Sequence, residues 1–66
     1  MKISECIKNL RLEKKLTQKE LGDMLFVSQD TISLWERGKS NPDINAIIQM
    51  SKIFDVTTDY ILCVEK

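Results

Sequence analysis

The stretch Thr17-Gln18-Lys19-Glu20-Leu21-Gly22-Asp23-Met24-Leu25-Phe26-Val27-Ser28-Gln29-Asp30-Thr31-Ile32-Ser33-Leu34-Trp35-Glu36-Arg37-Gly38 decides the fold. It spells two short helices with almost nothing between them. Thr17 and Glu20 form a capping box, in which each side chain satisfies a backbone N–H that the first helical turn leaves without a partner. Leu16 before the cap and Leu21 after it are spaced for a hydrophobic staple. Leu21, Met24 and Leu25 are then the expected buried face. Phe26-Val27-Ser28 must turn sharply, because Ser28 already caps the next helix and Asp30 adds negative charge to its first turn. Ile32 and Trp35 point inward, and Gly38 ends the helix by accepting the left-handed conformation.

Helical spacing continues on both sides. Upstream, Ile3, Cys6, Ile7 and Leu10 make an i, i+3, i+4, i+7 stripe on a helix ending near Lys14-Lys15, where cations suit the helix dipole. Downstream, Lys39-Ser40-Asn41-Pro42 is a loop by composition. Asp43 caps a fourth helix with Ile44, Ile47, Ile48, Ser51 and Phe54 as its expected buried stripe. Thr57 caps a short fifth helix through Tyr60, Ile61 and Leu62. The expectation is an all-α chain of five short helices forming one domain over residues 1–66.

Composition excludes several function classes. A chain of 66 residues buries only about 60% of its unfolded surface, so its core is small. There is no His, the side chain most used as a neutral-pH proton shuttle or metal ligand. Cys6 and Cys63 are too far apart for a paired zinc spacing and too few for a disulfide scaffold. No catalytic constellation, metal site, cofactor site or small-molecule ligand site is evident, and an enzyme is not expected. The longest apolar run, Tyr60-Ile61-Leu62-Cys63-Val64, is far short of a membrane span. Glu5, Lys8, Asn9 and Arg11 interrupt any signal-peptide core, so a cytoplasmic location is expected.

Two helices joined by a short turn, the second ending in Gly, suggest a helix-turn-helix over residues 17–37. The residues Thr17-Gln18-Lys19-Glu20-Leu21-Gly22, the run Val27 to Gly38, and Asn41-Pro42 closely resemble the lambda-repressor-like family of helix-turn-helix regulators. The resemblance covers about residues 7–62. It implies a five-helix DNA-binding domain whose third helix lies in the major groove while the second crosses the backbone. Gln29, Asp30, Ser33 and Leu34 are the implied base-contacting residues. A Gln amide can bond bidentately to adenine, and a carboxylate can accept from cytosine. Asp30 is equally read as a charge complementing the helix dipole. Leu34 can press on a thymine methyl or be an ordinary exposed leucine.

Phosphate contacts are implied at Gln18, Ser28, Arg37, Lys39, Ser40 and Asn41, which would fix register without reading sequence. Lys39 can also be a solvated loop charge. Arg11 and Glu36 are implied to be a structural ion pair between the first and third helices. The function implied is a transcriptional regulator, a repressor by occupancy, acting as a homodimer on a palindromic double-stranded operator. Its half-sites would lie about 34 Å apart, one turn of DNA. Tyr60, Cys63 and Val64 are the expected self-association patch on the fifth helix, although Cys63 and Val64 are also read as the end of the intramolecular core.

Two features run against the pattern. Formal net charge is zero, whereas DNA-binding domains usually carry a basic patch. The charge is divided, however: residues 1–19 hold six basic and two acidic side chains, giving +4 against −4 for the remainder. Zero net charge also keeps open the reading of a protein-interaction module on the same fold. The second feature is the residue type just past the second and fourth helices. The family usually has Gly where this chain has Phe26 and Asp55. Asp tolerates positive φ, but a bulky Phe does so only with strain. Either the turn at Phe26 adjusts its geometry, or packing forces the strain, and the ring could also pack against a neighbour.

Overall fold

A computed structural model describes residues 3–62. They form α1 (Ile3–Glu13), α2 (Gln18–Leu25), α3 (Gln29–Glu36), α4 (Ile44–Phe54) and α5 (Thr58–Ile61), with no strand among the described residues. α2 and α3 pack chiefly on each other, α1 runs against α3, and α5 joins α4 to α1. Ile7, Leu10, Leu21, Ile32, Trp35, Ala46, Ile47, Met50, Phe54 and Ile61 form one shared core.

The N-terminal signals in the sequence all appear. Thr17 and Glu20 make both halves of the capping box, with the Thr17 N–H donating to Glu20 Oε1 at 2.8 Å and the Glu20 N–H to Thr17 Oγ1 at 3.0 Å. Ser28, Asp43 and Thr57 each accept from the backbone N–H three residues on.

Two buried faces differ from expectation. Met24 is 45% exposed, so α2 buries Leu21 and Gly22 and half-buries Leu25. On α4, Ile44 and Ile48 face outward, and Ala46, Ile47, Met50 and Phe54 face the core. α4 is apolar nearly all round, so periodicity alone does not choose its inner face, and contact with α2 and α5 does.

Each of the four longer helices ends in the same way. Lys15, Phe26, Gly38 and Asp55 have φ of 57°, 60°, 73° and 56°. The next residue folds back, with N–H donated from Leu16 to Arg11 O, Val27 to Gly22 O, Lys39 to Leu34 O and Val56 to Ser51 O at 2.9–3.1 Å. This is the Schellman closure, in which a left-handed residue lets late carbonyls find donors. Three of the four positions lack glycine, at a backbone cost of roughly 1–2 kcal/mol each. The residues following those three, Leu16, Val27 and Val56, pack against the core, which offsets the cost.

Phe26 therefore keeps the left-handed geometry, and being 95% exposed its own side chain adds no packing to that of Val27. Phe26→Gly is expected to stabilise the domain by about 0.5–1 kcal/mol, since strain relief exceeds the entropy glycine adds to the unfolded chain. Thermal unfolding checks this through a rise in Tm of about 2–8 °C. An unchanged or lower Tm would mean that the turn is not strained.

Candidate nucleic-acid interface

Packing sets the rotation of α3. Ile32 and Trp35 are buried, so the helix turns outward Asp30, Ser33, Leu34 and Arg37, an i, i+3, i+4, i+7 stripe. Gln29 stands exposed at its N-terminus. No other described part of the chain covers this face; Ser33 is half-buried and Leu34 is 36% exposed. Arg37 Nε lies 3.4 Å from Ser33 O, which draws the guanidinium back along the same stripe. Ser28 Oγ accepts the Thr31 N–H at 3.1 Å and shares a hydrogen bond with Thr31 Oγ1 at 2.9 Å. Ser28, Lys39, Ser40 and Asn41 are exposed at the two ends of the helix.

A buried polar network fixes the helix behind this face. Arg11 Nε donates to Glu36 Oε2 at 2.6 Å and Arg11 Nη2 to Glu36 Oε1 at 3.0 Å, the bidentate geometry that suits a planar guanidinium. Arg11 Nη1 also donates to Leu16 O at 2.8 Å, tying α1 to the turn before α2. The Arg11 guanidinium is held above the ordinary arginine pKa, chiefly by its hydrogen bonds to Glu36 and against the opposing effect of burial. Gln18 Nε2 donates to Glu36 Oε1 at 3.2 Å, a third member that sequence reasoning missed. Nothing in the spacing of Gln18 and Glu36 signals it, because the contact depends on the angle between α2 and α3. Gln18 thus occupies the first position of α2 with its amide anchored to α3.

Sequence reasoning also passed over the role of Gly22. A Cβ at this position would lie 2.8 Å from Val27 O and 3.3 Å from Ser28 C and O. The missing side chain lets the turn fold back onto α2, and so brings the first turn of α3 into place.

Of the expected self-association patch, Tyr60 lies on a cleft between α1 and α5 with Cys6, Asn9, Leu12 and Glu13. Cys63 and Val64 lie outside the described residues. Among the described residues no group of His, Cys, Asp and Glu could hold a metal, and no helix is long and apolar enough to cross a membrane.

Two capped helices at a tight turn, set in a five-helix bundle with the second helix's polar face uncovered, define a helix-turn-helix domain of lambda-repressor-like architecture. The family model described as helix-turn-helix matches residues 7–61, and the chain belongs to that family. It is 41% identical over its whole length to the HTH-type transcriptional activator BcrR of Enterococcus faecalis, covering 32% of that protein. It is 35% identical, over 91% of its length, to Repressor protein C2 of Salmonella phage P22, covering 28% of it. The chain spans about a third to a half of the length of the first curated relatives it matches. Its fold matches the P22 c2 repressor in complex with synthetic operator 9T, with a TM-score of 0.90, 32% identity and 98% of both chains covered. The biofilm regulator SinR in complex with DNA matches with a TM-score of 0.81 and 31% identity, over 91% of this chain and 97% of that one.

Proposed function

We propose that this domain binds double-stranded operator DNA in a sequence-specific manner and regulates transcription, with α3 in the major groove. The observation that carries the reading is the uncovered α3 face, held rigidly by Ile32, Trp35 and the Glu36 network. Gln29, Asp30, Ser33 and Leu34 read base edges. Gln18, Ser28, Arg37, Lys39, Ser40 and Asn41 hold phosphates, with the N-terminus of α2 offering free N–H groups to one of them. Relatives of the same fold solved with DNA, one of them with a synthetic operator, support the assignment. Only Arg37 and Lys39 among the phosphate-holding residues are charged, so few counterions are released and affinity depends shallowly on salt, leaving base reading to supply much of the discrimination. The domain acts in the cytoplasm as a homodimer on a palindrome.

Regulation is assigned as repression, which needs only occupancy of a promoter. Relatives sharing this domain carry both activator and repressor names. Transcription in vitro from a promoter overlapping the operator is expected to fall as protein is added, and a rise would reverse the sign.

Selection of bound sequences from a random DNA pool tests binding, symmetry and half-site spacing together. On the selected operator, Gln29→Ala is expected to cost about 1–3 kcal/mol while leaving random-sequence binding nearly unchanged. Equal losses on both DNAs would remove Gln29 from base reading. Absence of any salt-sensitive binding to duplex DNA would favour the protein-interaction reading instead.

A further inference from the structure

Phe26 stands where the chain has left α2 and not yet entered α3, on a left-handed backbone that disfavours any bulky side chain. Val27 beside it packs against the core, whereas the Phe26 ring is turned into solvent. Trp35 and Phe54, by contrast, are buried. A strained residue whose ring gains nothing inside the fold points to a use outside it.

We propose that the Phe26 ring packs against a thymine methyl in the major groove, beside the bases read by Gln29 and Asp30, and so adds one position to the operator. The proposal rests on the operator-binding reading and deepens it. Placement is the first support. The N-terminal end of a recognition helix lies nearest the base edges. Phe26 precedes Ser28 by two residues and Gln29 by three, at most about 7 and 11 Å along the chain. The longer span is about three base-pair steps of roughly 3.4 Å. Charge is the second support. Residues 20–36 include Glu20, Asp23, Asp30 and Glu36 and no Lys or Arg, so this end of α3 offers no cation to a phosphate. Its contacts fall to uncharged groups. The thymine methyl is the apolar feature of the major-groove edge, and Phe is among the side chains that meet it. A glycine in place of Phe26 could make no such contact.

Selection from a random DNA pool with the wild type and with Phe26→Gly tests this, followed by titration of the selected operator with single thymines replaced by uracil, which lacks the methyl. The variant keeps the fold, since glycine suits a left-handed backbone. The wild-type operator is expected to carry a thymine within about three pairs of the position that Gln29→Ala relaxes. Phe26→Gly is expected to lose the preference there alone, and to bind about three- to tenfold more weakly while its Tm does not fall. Uracil at that position is expected to cost the wild type a similar factor and the variant nothing. Affinity lost without stability lost separates a DNA contact from a structural role. A variant that selects the same full sequence with unchanged affinity overturns the proposal and leaves the ring to a protein partner. A loss that uracil reproduces at no position also overturns it, by placing the ring on the sugar. A wild type that selects no sequence at all removes the operator reading itself, and this proposal with it.

Discussion

Replacing Glu36 by alanine is expected to cost about 3–5 kcal/mol, because it strands a buried charge. Arg11 is 8% exposed and makes three hydrogen bonds, two of them to the carboxylate that the substitution removes. Only Leu16 O would remain for it, and Gln18 would lose its acceptor as well. Domains of this size are stable by roughly 3–10 kcal/mol, at about 0.05–0.15 kcal/mol per residue, so the loss removes a large share of the total and is expected to lower Tm by well over about 10 °C. Urea denaturation followed by circular dichroism measures the loss. The double variant Arg11→Met/Glu36→Leu is expected to recover most of it, since apolar residues can replace a buried pair at little cost. If Glu36→Ala costs less than about 1 kcal/mol, the pair behaves as a surface contact and does not orient α3.

The sign of the pH dependence follows from Arg11. Its pKa is raised in the folded state, so its contribution is complete below the unfolded value and is lost only as pH rises through the folded one. The ordinary arginine value already lies far above neutral, so the arginine side of the pair is intact in any neutral or mildly alkaline buffer.

Gly22→Ala is expected to destabilise the domain by about 1–3 kcal/mol, the range for overfilling a packed site. In an unobstructed helix the same change would gain about 1 kcal/mol. Here the new Cβ would lie 2.8 Å from a backbone oxygen, and no side chain can swing aside to admit it. The chain must shift at Val27 and Ser28, which moves the cap of α3. Operator affinity should therefore fall by more than the fraction of unfolded protein explains. Chemical denaturation and DNA titration of the same preparation separate the two effects. A stabilised variant would show that the turn yields freely.

How much of this was legible beforehand depended on how local the responsible interaction is. The capping box at Thr17 and Glu20 and the caps at Ser28, Asp43 and Thr57 involve residues three apart, so the sequence alone identifies them. The inward pair Ile32 and Trp35 was equally readable, since the two stand three apart on one face and Leu34 is the one apolar residue of the helix outside it. The Arg11–Glu36 pair was reachable only through family resemblance, because 25 residues separate its members.

By itself the sequence determined where the helices begin, their number, the tight turn, and which side of α3 faces outward. All of these follow from short-range hydrogen bonding and helical period. Tertiary structure alone decided that α4 hides Met50 and shows Ile44, that Gln18 reaches Glu36, and that Gly22 has no room for a methyl group. Those outcomes depend on the angles at which helices cross, and a uniformly apolar helix or a single missing side chain carries no local record of its neighbours.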